Sequence, residues 1–224
     1  MRDVGGRLKD ADELMRFAPV IPVLVIDDAS YALPIAEALV SGGLRVLEVT
    51  LRTPAALEVI RAMSKVRGAI VGAGTVLNER DLGASLEAGA KFIVSPGLTE
   101  SLARTARDSG VPFLPGVAAA SDIMRGLDLG LTRFKFFPAT ALGGVPTLKA
   151  LAAPFPMCRF CPTGGITQAT APDWLALDYV PCVGGSWLVA RGEPDPAKIK
   201  RLAEQAAALS LNSAKKSPSH AGTI

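Results

Sequence analysis

The stretch Val46-Leu47-Glu48-Val49-Thr50-Leu51-Arg52 decides how this chain folds. Successive side chains of a β-strand point to opposite faces. Leu47, Val49 and Leu51 therefore share one side, and Glu48, Thr50 and Arg52 share the other. The aliphatic side suits contact with outer helices, which leaves the polar side pointing into an enclosed interior. The number and spacing of such strands along the chain then separate the possible folds.

Seven further apolar runs read as strands, at residues 21–26, 69–73, 92–95, 112–114, 133–137, 159–162 and 182–184. With 46–51 they make eight, at intervals of about 20–26 residues, the length of a strand, a helix and their loops. Helix signals fill the intervals. Asn78 stands as an N-cap before Glu79-Arg80-Asp81-Leu82, with Leu82, Leu86 and Ala90 on one face. Thr99-Glu100-Ser101-Leu102 and Ser121-Asp122-Ile123-Met124 open similar segments, and Gly89, Gly110 and Gly130 stand where left-handed C-terminal caps belong. Eight regular units predict a single-domain (β/α)8 TIM barrel. The alternative is an open doubly wound sheet. Gly72-Ala73-Gly74-Thr75 begins like a dinucleotide-binding fingerprint but lacks the third glycine, Leu77 standing in its place. Residues 1–18 are expected to form a helical segment, through Ala11-Asp12-Glu13-Leu14-Met15, that could plug the N-terminal face. The barrel is expected over 19–210, with a closing helix at 194–210 and a disordered tail at 211–224.

The 224 residues are 49% hydrophobic and 20% charged, enough apolar material for a sizeable core. The net charge of +3 is spread without a basic block, which argues against a dedicated nucleic-acid surface. The charged N-terminus shows no secretory signal, and residues 20–26 are too few to span a bilayer. No membrane association and a cytoplasmic location are the expectation. Cys158 and Cys161 are spaced C-x-x-C, but Arg159-Phe160-Cys161 reads as a strand, and the single histidine, His220, lies near the C-terminus. Cys158, Cys161 and Cys182 are therefore read as packing residues rather than redox or metal groups, and histidine-dependent triads are excluded.

Lys135 is the reactive candidate. It lies within Phe134-Lys135-Phe136-Phe137-Pro138, an otherwise apolar run on the sixth strand. Burial among apolar neighbours disfavours the charged ammonium, and a neutral amine attacks carbonyl carbon. Schiff-base chemistry follows as the expected reaction class. Of nine lysines, Lys91 is the nearest rival, but it precedes its strand, at the end opposite the catalytic face. Glu48 points into the same interior and reads as a general acid/base, with Arg52 as an anion anchor; a structural Glu48–Arg52 or Glu48–Lys135 ion pair is the competing explanation. Thr75 follows two strand-end glycines, Gly72 and Gly74, that leave space at the barrel mouth. Thr163-Gly164-Gly165 and Gly184-Gly185-Ser186 close the seventh and eighth strands, whose loops bind phosphate in many barrels.

At these residues the chain resembles the 2-keto-3-deoxy-6-phosphogluconate (KDPG) aldolase family, also described as 4-hydroxy-2-oxoglutarate (KHG) aldolases. The matching segments are Leu47-Glu48-Val49-Thr50-Leu51-Arg52-Thr53, Val71-Gly72-Ala73-Gly74-Thr75-Val76-Leu77, Ser95-Pro96-Gly97, Phe134-Lys135-Phe136-Phe137-Pro138, Cys161-Pro162-Thr163-Gly164-Gly165 and Gly184-Gly185-Ser186-Trp187. The resemblance implies a class I, metal-free aldolase without a cofactor, working through a covalent imine with Lys135. It further implies Glu48 as acid/base, and Arg52 and Thr75 on the substrate carboxylate. Pro96 and Phe137 would line the pocket, Thr163 would meet a hydroxyl, and Gly164, Gly165, Gly184, Gly185 and Ser186 would form the phosphate end. The expected ligand is a small keto-acid phosphate, and the expected assembly a homotrimer. The expected reaction is KDPG cleavage to pyruvate and glyceraldehyde 3-phosphate, with side activity on KHG. The competing functions are a mainly KHG-directed aldolase, a phosphate-binding isomerase or synthase barrel without imine chemistry, and a non-catalytic sugar-phosphate-binding barrel.

Overall fold

A computed structural model of the protein describes residues 8–209. The chain enters through α1 (Ala11–Arg16) and then alternates strands with helices. The first half runs β1 (Val20–Leu24), α2 (Ala32–Ser41), β2 (Val46–Thr50), α3 (Ala56–Met63), β3 (Ile70–Gly74), α4 (Glu79–Glu87), β4 (Ile93–Val94) and α5 (Glu100–Ser109). The second half runs β5 (Phe113–Leu114), β6 (Gly116–Val117), α6 (Ala120–Asp128), β7 (Arg133–Phe136), α7 (Gly144–Ala152), β8 (Arg159–Pro162), α8 (Ala171–Leu175), β9 (Val183–Gly185) and α9 (Pro196–Ala207). The expected tail at 211–224 and the first seven residues of the expected N-terminal segment lie outside the described residues.

The fold is α/β with parallel strands in two sheets, ordered β5-β4-β3-β2-β1-β9 and β6-β7-β8. Thr163, just past β8, forms a further parallel bridge to Gly184 in β9. Nine strand segments appear where eight runs are expected, because the run at 112–114 continues beyond Pro115 as β6. Proline has no N–H to give a ladder. Pro115 instead accepts from the Lys135 backbone N–H at 2.8 Å, so the chain leaves β4 and joins β7 at that residue.

Helix starts follow local chemistry. Asn78, Thr99 and Asp195 accept from Asp81 N, Leu102 N and Lys198 N at 2.9, 3.4 and 3.0 Å. Gly89, Gly110 and Gly130 take positive φ at the ends of α4, α5 and α6, as expected of left-handed caps. The α6 start lies one residue before Ser121, and the Asp122 carboxylate accepts from both Ala118 N and Ala119 N.

Two apolar clusters sit on the two sides of the strands. Leu47, Val49, Phe134, Phe136 and Phe160 pack outward with helix residues such as Ile35, Leu39, Ile60 and Trp174. Ile21, Val46, Ile70, Phe92, Val94, Leu114, Cys161 and Cys182 form a separate inner cluster. Leu14 and Met15 of α1 join that inner cluster with no exposed surface. Burying each contributes about 1.5–3 kcal/mol, which holds α1 across the N-terminal ends of the strands. Asp12 adds a bond to Arg133 at 2.5 Å, fastening α1 to the start of β7. Among the described residues no helix is long and apolar enough to cross a membrane.

Candidate active site

β2 and β7 each carry one buried charge inward. Lys135 Nζ donates to Glu48 Oε1 at 3.0 Å, with the two residues only 4% and 3% exposed. Strand alternation turns Phe134 and Phe136 away from the lysine; they stack near Phe160 and Trp174 among the helices. Phe137 is the aromatic that stays with the amine, its ring centroid 5.4 Å from Nζ. An ammonium so placed gains from the ring face, whereas the pair as a whole is cut off from water. A proton passing from Nζ to Oε1 leaves a neutral amine and a neutral acid, with no change in net charge.

Space for the pair comes from glycines. A Cβ on Gly72 would lie 2.4 Å from the Phe92 ring, and one on Gly74 would lie 2.2 Å from Glu48 Oε1. Gly116, opposite Lys135 on β6, admits the Pro96 carbonyl, which brings the half-buried Pro96 beside the lysine's strand. These close approaches exceed the general space at the mouth that the glycines suggest in sequence.

Arg52 is exposed and donates from Nε to Thr75 Oγ1 at 3.3 Å. Thr75 has φ +58, a left-handed conformation disfavoured for a β-branched residue and held here by its surroundings. Thr50 and Thr53 donate to the Leu24 and Ile26 carbonyls at 2.8 and 2.6 Å, anchoring the turn that carries Arg52. Arg52 thus pairs with Thr75 and Glu48 with Lys135, in place of a Glu48–Arg52 pair.

On the far side, Gly164 has φ +103 and lies against Phe137 and Pro138, and Gly165 has φ +76 and lies against Thr140. Thr163 is buried and donates to Cys161 O at 3.3 Å, its side chain filling the space above Gly184. Gly184 and Gly185 belong to β9, in register with Ile21 and Pro22, rather than to the loop after it. Ser186 is the exposed residue of that segment, and the Trp187 ring covers Gly185.

Two other places are distinct from this site. A cavity of about 420 Å³ opens at the opposite end, between α1, α5 and the start of β7. It contains none of the predicted site residues, and its Arg133 is already bonded to Asp12. The three cysteines are buried and unbridged. A hydrogen bond with Cys161, reinforced by burial, pushes the Cys182 thiol far above its ordinary range; burial raises Cys158. Among the described residues no group of three acidic, histidine or cysteine side chains converges to hold a metal.

A buried amine joined to a carboxylate, on parallel strands of an α/β fold, is the class of site these residues build. The chain belongs to the KDPG and KHG aldolase family, whose model matches residues 11–202. It is 59% identical over 201 residues to the 2-dehydro-3-deoxy-phosphogluconate aldolase of Zymomonas mobilis, covering 90% of this chain and 97% of the relative. A crystal structure of the Zymomonas mobilis ZM4 aldolase with 3-phosphoglycerate matches with a TM-score of 0.88 at 59% identity, over 90% and 96% of the two chains. The KHG/KDPG aldolase of Escherichia coli K12 is 52% identical over 200 residues, 88% of this chain and 94% of that one. The KDPG aldolase of Legionella pneumophila, with pyruvate captured at low pH as a covalent carbinolamine intermediate, matches with a TM-score of 0.78 at 42% identity, over 90% and 96% of the chains.

Proposed function

We propose that this protein is a class I aldolase that cleaves 2-dehydro-3-deoxy-6-phosphogluconate to pyruvate and glyceraldehyde 3-phosphate, with side activity on 4-hydroxy-2-oxoglutarate. The observation that carries the reading is the Lys135–Glu48 contact, 3.0 Å long and almost entirely removed from solvent. The names of the Zymomonas and Escherichia coli relatives support the two substrates. The carbinolamine of the Legionella protein is the product of an amine adding to a ketone, which supports an amine nucleophile here.

In this mechanism Lys135 passes its proton to Glu48 and attacks the C2 ketone. Glu48 gives that proton back to the carbinolamine hydroxyl, which leaves as water, and the resulting protonated imine draws electrons from the C3–C4 bond. As that bond breaks, Glu48 takes the C4 hydroxyl proton through a water, and glyceraldehyde 3-phosphate leaves. Glu48 then returns a proton to C3 of the enamine, and hydrolysis of the imine frees pyruvate and Lys135. One carboxyl serving as base and then acid suits a group already sharing a proton with the amine.

Arg52 and Thr75, joined to each other, bind the substrate carboxylate. Pro96 and Phe137 line the pocket, and Thr163 meets a substrate hydroxyl. Gly164, Gly165 and Ser186 take the phosphate, and Gly184 and Gly185 make room beside it for the Thr163 side chain and the Trp187 ring. The 3-phosphoglycerate of the Zymomonas structure has the three-carbon phosphate frame of the aldehyde product, which supports this assignment. The imine is itself the electron sink, so the reaction needs neither metal nor organic cofactor. A closed eight-stranded barrel is the architecture we infer, with β5 and β6 as one strand broken at Pro115. The Thr163–Gly184 bridge supports closure. A cytoplasmic homotrimer completes the reading.

The test is incubation with pyruvate and borohydride, followed by peptide mass spectrometry. An adduct on Lys135 is expected; none, or one on another lysine, overturns the mechanism. Chelators are expected to leave cleavage unchanged, and activity restored by a divalent metal would point to metal-dependent chemistry.

A further inference from the structure

Gly74 ends β3, where it pairs with Thr50 of β2, and its carbonyl accepts from Leu51 N at 2.8 Å. Its φ is not in the left-handed region, so its backbone is open to any L-residue. What the position excludes is volume. A Cβ there would lie 2.2 Å from Glu48 Oε1, 2.7 Å from Cγ and 2.8 Å from Cδ, three contacts no closed-shell pair of atoms sustains. The Glu48 side chain therefore lies across the bare Cα of Gly74.

The carboxyl has few other places to go. Glu48 is 3% exposed, and its ladder partner on β3, Gly72, is covered by the Phe92 ring, which is fully buried. Phe92 thus occupies the volume below, on the inner-cluster side, and Lys135 fixes the other end of the carboxylate at 3.0 Å. A methyl group at position 74 moves the carboxylate with respect to Nζ, because the rest of the wall is full. Lys135 itself rests on β7, with its backbone N–H on Pro115 O and its strand paired to β6 and β8, whereas Gly74 belongs to the ladder of β2 and β3.

We propose that Gly74 is a positioning residue for the proton-transfer steps: its missing side chain sets where the Glu48 carboxylate stands relative to the imine. This rests on the Schiff-base reading above. It predicts that volume at position 74 slows the steps in which Glu48 moves protons and leaves Lys135 still able to form the pyruvate imine, so that trapping at equilibrium is retained. A displacement of about 1 Å at a reacting group costs on the order of 10²-fold in rate.

The experiment compares wild type with Gly74→Ala, Glu48→Asp and the double variant in three assays. These are steady-state cleavage, borohydride trapping of pyruvate on Lys135, and exchange of the pyruvate methyl protons with D2O. For Gly74→Ala, kcat and methyl exchange are expected to fall together by about 10²-fold, with KM within about 3-fold and trapping retained. In the Glu48→Asp background the shorter side chain leaves room, so adding Gly74→Ala is expected to cost less than about 10-fold. Unchanged exchange in Gly74→Ala, loss of trapping along with exchange, or an equal cost in both backgrounds would each overturn the proposal. If Gly74→Ala does not fold, the same change is made on Glu48→Ala and compared with Glu48→Ala alone: no further loss of stability supports the shared volume, and a further loss as severe as in the wild-type background overturns it. A wild type that traps no pyruvate on Lys135 refutes the imine reading instead, so the two failures are distinguishable.

Discussion

Replacing Lys135 by methionine leaves the Glu48 carboxyl buried without its partner. At 3% exposure it cannot recover its charge from water, so it enters the folded state protonated. Taking up that proton at pH 7, against an ordinary glutamate pKa of about 4.3, costs about 3.7 kcal/mol. The reciprocal change, Glu48→Met, leaves the amine buried. Discharging an ordinary lysine at pH 7, from about 10.4, costs about 4.6 kcal/mol. The single variants are thus expected to lose about 3.7 and about 4.6 kcal/mol, or roughly 7–18 °C in Tm for a chain of this size. The double variant Lys135→Met/Glu48→Met has no charge to neutralise and two linear apolar side chains in the same space. It is expected to equal or exceed the wild type in stability, while having no lyase activity. The sign of the pH dependence follows. In Lys135→Met the carboxyl is neutral when folded and ionised when unfolded above its ordinary pKa, so the penalty grows as pH rises from that value. It is expected to be about 1 kcal/mol at pH 5 and about 3.7 kcal/mol at pH 7. Urea unfolding of the four proteins at both pH values measures all of these. A double variant less stable than either single one, or a Lys135→Met penalty independent of pH, would refute the reasoning and make the pair a stabilising strut.

Three further outcomes are expected. Gly126 lies in α6, where a Cβ would stand 2.4 Å from the buried Phe134 ring, whereas Gly83 in α4 has nothing within 4 Å. In chemical denaturation, Gly83→Ala should gain about 0.5–1 kcal/mol from helix propensity, and Gly126→Ala should lose about 1–3 kcal/mol by overpacking. The Asp12 carboxyl is held below its usual range, first by its bond to Arg16 at 2.6 Å and then by Arg133. A lowered folded pKa gives stability that is present above the ordinary carboxylate pKa and lost as pH falls through the folded value. Asp12→Asn should therefore lower stability by about 1 kcal/mol or less at neutral pH, and the difference from wild type should vanish in acid titrations as pH falls below the ordinary carboxylate range. Cys158, Cys161 and Cys182 are buried, and the first and last have raised thiol pKa values, so a chromogenic disulfide reagent at pH 8 should label none in the native protein and all three in denaturant.

The parts legible in sequence were those with a short-range cause. The two-residue alternation of β2 and β7 placed Glu48 and Lys135 on inward faces, and two inward charges in an apolar interior had to meet. Asn78, Thr99 and the left-handed glycines declared the ends of their helices through local chemistry. The parts that were not legible depend on volume or on distant partners. The same alternation that turned Lys135 inward turned Phe134 and Phe136 out, so Phe137 shields the amine without them. Arg133 stands at the start of its strand and spends its charge on Asp12, which lies 121 positions earlier in the chain. The predicted run stops at Leu114, and β6 beyond Pro115 is not legible because its pairing comes from β7, further along the chain. In sequence the eighth run ends at Gly184, and its extension to Gly185 is not legible because the pairing that claims that residue comes from β1, at the other end of the chain.

The placement of α1 has a consequence for traffic. Leu14 and Met15 fill the inner apolar cluster at the N-terminal ends of the strands, and Asp12 rivets the helix to the strand that bears the lysine. The Lys135–Glu48 pair is therefore closed off at that end, and in the proposed reaction the substrate arrives from the C-terminal ends of the strands. The aldehyde and the pyruvate it leaves behind depart by the same route in that reaction. In the imine mechanism proposed above, pyruvate stays bonded to Lys135 after the C3–C4 bond breaks, so the phosphorylated fragment departs first. The order of product release is set by which fragment is tied down, with no gate required.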